Sequence, residues 1–447
     1  MVSPMTSAAS SPLLNAFDDQ DKIFSAAFSI LQRAIAHHDF PAASAAVTHR
    51  GRLIALKALG HFTYDQTFKD SSEKAGAPSF SRLWREGGDF GVQSPNAVPL
   101  LASSAGSENP QVYPSTLFDL ASLTKVVATT PTAMILYERG MLDLDAPVAA
   151  VVPEFVTDEK KDPRRHDVAL RHLLTHSSGL PAYEKLFLKA RTRDELLRAA
   201  FTTPLTADPA TRAVYSDIGF IILGIALERL ADEPLDRYCH REVFAPLAMT
   251  NTTFNPPAEC RPKIPPTADE RESKEDRDDA GAFTRELFEP SQPSSVNSRS
   301  TFRKKIIQGE VQDENAFVLG GVAPQAGLFS TAQDLAKYAH ALLSGGCAVF
   351  RPETIALFTR REAVPPVTSR ALGWDTPSTP SQSGKYFSPQ SYGHLGYTGT
   401  SLWIDPSRQL SVTLLTNRTW PDCSNHAIRI VRPMFHDAVL DALEAEG

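Results

Sequence analysis

Phe118-Asp-Leu-Ala-Ser-Leu-Thr-Lys125, running on into the apolar stretch Val126-Val-Ala-Thr129, decides how this chain is to be read. A serine three residues ahead of a lysine on a helix puts both side chains on one face, within mutual reach. That pairing gives the hydroxyl a built-in base, which serine-based nucleophilic catalysis requires. The tetrapeptide alone carries little, because Ser71-Ser-Glu-Lys74 repeats it in a polar stretch without helical period, where it reads as an accident. Ser122 is set apart by the apolar helix that follows it and by two segments far downstream.

Around that stretch the chain alternates between sheet and helix signals. Residues 20–38 read as an amphipathic helix, and Ala42–Thr48 and Leu53–Leu59 as strands joined by the hairpin signal His49-Arg-Gly-Arg52. Residues 61–112, rich in Gly, Ser, Pro and Asn, form a long excursion. The Ser122 helix is expected to end at Thr129, with Thr130-Pro131 as cap and first residue of a second helix ending at Gly140. Further helices are expected over Val168–His176, Arg193–Ala200, Ile218–Leu230 and Asp236–Phe244. Residues 256–312 make a polar excursion, in which Thr267–Asp279 carries seven acids with almost nothing to bury and reads as a solvated loop. Ser330-Thr-Ala-Gln333 reads as a capping box opening a helix that stops at Gly345-Gly346. Thr400–Ile404 and Leu410–Leu415 are strands, followed by a helix over 425–444. The expected fold class is therefore α+β: an antiparallel sheet flanked by helices, plus a mostly helical domain. Its parts are 1–120 (N-terminal part of the sheet domain), 121–316 (helical) and 317–447 (the rest of the sheet domain), with the site at the junction.

Three segments together resemble the penicillin-recognising serine hydrolases: serine β-lactamases, D-alanyl-D-alanine peptidases and related esterases. They are Ser122-Leu-Thr-Lys125, Tyr215-Ser-Asp217 ahead of a helix, and His394-Leu-Gly396, which matches a strand motif usually written Lys/His-x-Gly. Leu170–Pro181 and Gly320–Ser330 support the match, and order and spacing resemble the class C-like branch. The resemblance implies Ser122 as nucleophile, Lys125 as base, Tyr215 as proton carrier, and an oxyanion hole from the Ser122 and Tyr397 backbone N–H groups. It further implies Asp217, His394 and Gly396 as substrate-binding positions.

The residue chemistry agrees with those roles. Lysine serves as a base only when neutral, so burial and nearby positive potential must lower its affinity for a proton. A helix N-terminus works in the same direction. Plainer readings stand beside these: Ser122 as an N-cap, Lys125 as a solvated helix lysine, Tyr215 as a core tyrosine, His394 as a hydrogen-bonded strand residue. His172 and His176 lie four apart, but with no glutamate beside the first and no third ligand a packing role is expected, and no metal or cofactor.

Two departures from the family pattern bear on substrate. His394 stands where many relatives have a lysine for a substrate carboxylate, and Asp217 where many have an asparagine for an acylamido group. Both weaken recognition of anionic peptides and β-lactams, and neither hinders attack on a plain ester. Gln312 and Pro324-Gln325 depart as well, in loops expected to border the site. The expected function is a carboxylesterase acting on short-chain uncharged esters through an acyl-enzyme. The alternatives are a class C-like β-lactamase or D-alanyl-D-alanine carboxypeptidase, and a non-turnover penicillin-binding sensor. The partner is a small-molecule ester or lactam. A net charge of −7 argues against nucleic acid or an anionic membrane as partner. No leader or spanning segment is apparent, so a cytoplasmic location is expected. Cys239, Cys260, Cys347 and Cys423, with no C-x-x-C pair, suit reduced thiols.

Overall fold

A computed structural model of the chain describes residues 12–64, 109–156, 162–271 and 302–446. Among the described residues eleven strands run in chain order: β1 (Leu14–Asn15), β2 (Ala42–His49), β3 (Arg52–Gly60), β4 (Phe118–Asp119), β5 (Thr253–Phe254), β6 (Ala268–Asp269), β7 (Ile306–Ile307), β8 (Leu328–Ser330), β9 (Tyr392–Leu395), β10 (Ser401–Asp405) and β11 (Leu410–Thr416). The main sheet has the order β1-β3-β2-β11-β10-β9, antiparallel except for the short β1–β3 pair. The β2–β3 hairpin closes through Arg50 and Gly51, both at positive φ (49° and 76°). Two left-handed central residues match the right-handed strand twist, which is why Arg-Gly works there.

Pairing of β11 with β2, Val412 opposite Val47, brings the two ends of the chain together in mid-sheet. Side chains alternate with period two along the strands. Trp403 and Val412 face a core closed by the helices Ser25–Ala36 and Ile428–Glu446, through Phe28, Leu31, Val431 and Phe435. Leu402, Ile404 and Leu415 face the opposite way, into a larger core that also takes in Ile218–Leu227 and Leu335. The helix Asp217–Ala231 is buried from Asp217 through Leu227, apolar on all sides because packing surrounds it. Each such large side chain contributes about 1.5–3 kcal/mol on burial.

Several expectations are corrected. Thr130-Pro131 starts no separate helix: a 3₁₀ turn at Ala121–Leu123 and a π-type stretch at Lys125–Thr129 run straight into Thr130–Glu138. Thr130, the expected cap, is itself helical (φ −63°), and the neighbouring Thr129 hydroxyl donates to the Pro324 carbonyl at 2.7 Å, tying this helical run to the segment before Gln325. The first helix breaks at Phe24 into Gln20–Ile23 and Ser25–Ala36. The cap of the helix Ala332–Leu343 is Thr331, whose hydroxyl accepts from Asp334 N–H, because Ser330 is already committed to β8. The polar segment after 256 buries more than its composition suggests. β6 pairs with β7, and Glu270 forms a bidentate pair with Arg303 in which both side chains are nearly inaccessible. Ser71–Lys74, most of the 61–112 excursion and the middle of 256–312 lie outside the described residues. Among the described residues no helix is long and apolar enough to cross a membrane, and the four cysteines are free thiols.

Candidate active site

The small sheet β4-β8-β5 delivers the chain to Ser122. Asp119, buried at the end of β4, accepts the Ala121 N–H at 2.8 Å with one carboxylate oxygen and the Gln312 N–H at 2.7 Å with the other. Burial nevertheless pushes its carboxyl up to about 6. Ala121 is held at φ 47°, a left-handed conformation that costs an alanine energy and turns the chain sharply into the helical run. Thr124 secures that bend, donating to the Ala121 carbonyl and accepting from Leu328 N–H. Ser122 follows the bend and keeps partial access to solvent.

Lys125 is fully buried. Its Nζ lies 3.0 Å from Ser122 Oγ, 2.9 Å from the Gln325 carbonyl and 2.6 Å from Asp217 Oδ1. Burial lowers the lysine's affinity for a proton; Asp217 and Asp313 oppose that fall and Arg370 adds to it. Loss of water therefore outweighs the carboxylates, and the amine is biased toward the neutral form that can accept a proton.

Tyr215 reaches the same place from the start of the helix Asp217–Ala231. Ser216 caps that helix, its hydroxyl accepting from Gly219 N–H at 3.0 Å and donating to the Pro181 carbonyl at 2.6 Å. Lys125 Nζ stands 4.8 Å from the centroid of the Tyr215 ring. The phenol is held well above its usual range, mainly by burial and then by Asp217, while a hydrogen bond with Ser122 works against the rise. His176 lies 4.6 Å from the ring on one side, and His394 lies 5.7 Å away.

His394 sits on β9, 1% exposed, with Nδ1 2.7 Å from the Leu395 carbonyl. Burial keeps its imidazole neutral. Gly396 ends this strand where backbones meet closely: a Cβ there would overlap the Thr400 hydroxyl and the Leu120 carbonyl. Thr398 and Thr400 donate to the carbonyls of Asp119 and Leu120 at 2.8 and 2.9 Å, which seats the Tyr397 loop beside the bend before Ser122.

The structure thus gathers Ser122, Lys125, Tyr215, Asp217 and His394, with the Gly396–Tyr397 turn adjoining them. Four features escape a sequence reading. Asp217 points at Lys125, not only at an incoming molecule. Asp313 stands nearby, half-buried, receives the Gln325 side-chain amide at 3.3 Å, and desolvation and then the Asp217 charge push its carboxyl up to about 6. Arg370, 3% exposed, lays its guanidinium 5.4 Å from the Tyr215 ring. His176, read as a packing residue, accepts Ser216 N–H at 3.0 Å, whereas His172 accepts Ala169 N–H at its own helix start. Only the His172/His176 spacing offered a signal; Asp313 and Arg370 lie in stretches without a motif.

A family model described as Beta-lactamase matches residues 28–431. The N-acetylmuramyl-L-alanine amidase of Bacillus subtilis (strain 168) is 33% identical over 330 residues, covering 68% of both chains. A putative D-alanyl-D-alanine carboxypeptidase of Escherichia coli (strain K12) is 32% identical over 330 residues, covering 68% of this chain and 69% of its own. Among solved structures, EstCE1, a hydrolase with promiscuous acyltransferase activity, superposes with a TM-score of 0.64 at 20% identity. That match covers 94% of this chain and 99% of the other, a likeness of fold.

Proposed function

This chain belongs to the Beta-lactamase family of hydrolases, and on that premise we propose that it is a carboxylesterase forming its acyl-enzyme on Ser122. The observation that carries the reading is the 3.0 Å contact between Ser122 Oγ and a lysine amine sealed from water. Ser122 Oγ attacks the ester carbonyl carbon and its proton passes to Lys125 Nζ. The oxyanion that develops is held by the backbone N–H groups of Ser122 and Tyr397, each such donor commonly worth about 3 kcal/mol in the transition state. The proton then travels by way of Tyr215 to the leaving alkoxide, which departs as the alcohol. Water, deprotonated along the same route, releases the acid and restores the serine.

Short, uncharged esters suit the site's electrostatics. His394 is neutral where a cation would greet a substrate carboxylate, and Asp217 is a carboxylate bound to Lys125 where an amide would receive an acylamido chain. A second reading, hydrolysis of a peptide or lactam amide, is favoured by the names of the amidase and carboxypeptidase relatives. Parallel assays on p-nitrophenyl butyrate, a chromogenic cephalosporin and a D-alanyl-D-alanine peptide separate the two. Ester turnover lost in Ser122→Ala is expected. Peptide or lactam turnover without ester turnover overturns the ester preference, and full activity of Ser122→Ala removes the nucleophile. A stable adduct on Ser122 seen by intact mass, without turnover, points instead to a sensor.

A further inference from the structure

Arg370 belongs to none of the segments that carry the family resemblance, yet it faces the centre of the site. Its chain segment is fixed from several directions. Arg370 N–H donates to the Thr368 hydroxyl at 3.0 Å, its carbonyl accepts Glu362 N–H at 2.8 Å, and Ala371 N–H donates to the Trp374 carbonyl at 2.9 Å. Asp375 then pairs through its backbone with Gly393, N–H to carbonyl in both directions at 2.9 Å, which attaches the segment to the strand bearing His394. The guanidinium cannot wander: its Nη1 stands 3.8 Å from Asp375 Oδ1, and both side chains are almost inaccessible.

The charges that share this space explain why a cation is needed there. Two carboxylates face Lys125, Asp217 in contact and Asp313 further off, and both favour its ammonium form. Tyr215 is faced by the same two carboxylates, by Lys125 and Arg370 over its ring, by the Ser122 hydroxyl, and by the rings of His176 and His394. His394 adds no positive charge. With Lys125 alone against Asp217 and Asp313, the two carboxylates would meet only burial as opposition and would hold the proton on the amine more firmly.

We propose that Arg370 is a positioning residue of this site: its fixed guanidinium, laid against the Tyr215 ring, offsets part of the Asp217 charge and so works with burial to hold Lys125 in its neutral, proton-accepting form. The positive charge that many family members place on the strand bearing His394 is here supplied from the neighbouring 368–375 segment. Burial keeps the His176 and His394 imidazoles uncharged, and the same field adds to that effect. The inference rests on the Ser122–Lys125 reading above.

The test reads activation of Ser122 directly, as the pH dependence of its labelling rate by a fluorophosphonate followed by intact mass, so no natural substrate is required. In Arg370→Gln the acid limb of this profile moves up by about one pH unit, the effect of removing one charge at this range in a partly screened interior. Arg370→Lys, which keeps the charge, restores the wild-type limb. Asp375→Asn, which strips the guanidinium of its counter-charge, moves the limb down. A slower rate at every pH with the limb unmoved means that Arg370 only packs, and overturns the proposal. Should Arg370→Gln fail to fold, the Arg370→Lys and Asp375→Asn profiles decide, and an unmoved limb in Asp375→Asn overturns it equally. Failure of the underlying reading is seen separately, as labelling that survives Ser122→Ala.

Discussion

Replacing Asp217 by asparagine should shift the pH dependence of hydrolysis toward acid. The carboxylate oxygen lies 2.6 Å from Lys125 Nζ, and both side chains are largely out of water. At that separation two unit charges attract by about 6 kcal/mol at an effective dielectric of about 20. Asparagine keeps the shape and an oxygen that can still receive the amine, and the protein relaxes around the change, so roughly a third of that attraction is lost as net preference for the ammonium. That is about 2 kcal/mol, or about 1.5 pH units. The sign follows from the roles: Asp217 stabilises the protonated lysine, so removing its charge frees the neutral amine at lower pH. The acid limb of kcat/KM for p-nitrophenyl butyrate, measured between about pH 5 and about pH 9, therefore moves down by one to two units. A limb that stays in place, or moves up, refutes the assignment of Lys125 as the group that must lose its proton.

Two further perturbations address stability. Burial pushes the Asp39 carboxyl up to about 7, against a hydrogen bond from Asn425. In the unfolded chain it ionises near about 4, so between those values only the folded form holds the proton, and stability falls as pH rises through that window, by about 4 kcal/mol at most. Asp39→Asn should flatten the slope of Tm against pH there; an unchanged slope places the titration elsewhere. Glu270→Gln leaves Arg303 buried beside an uncharged partner, which costs about 3–5 kcal/mol. A Tm within experimental error of wild type would mean that the pair is solvated in solution.

Much of the fold was legible because its strongest signals are local. Arg50-Gly51 marks a hairpin wherever it stands between β-rich runs, and Asp405-Pro-Ser-Arg408 marks another. The Ser122, Tyr215 and His394 segments could be read because each carries its chemistry within three or four residues. Asp217 was noticed but its partner was not, since nothing in the spacing from 125 to 217 says that a carboxylate and an amine will touch. Arg370 and Asp313 were invisible for the same reason: each matters through neighbours far away in the chain. Glu270 looked like one more acid in a solvated run, and only Arg303, brought back by β7, makes it a buried group. The misplaced helix start at Thr130 has another cause: threonine before proline is a sound local cap signal, overridden here because the Lys125–Thr129 stretch carries helical backbone straight through Thr130.

The union of β2 with β11 also dictates an order of assembly. During synthesis the first hairpin is complete long before residue 410 leaves the ribosome, so the inner edge of β2 waits with its amides and carbonyls unmated. Contacts this distant in sequence close slowly. The nascent polypeptide is thus most prone to stick to other chains late in translation, and shielding that one open edge would do most to raise the yield of correctly folded molecules.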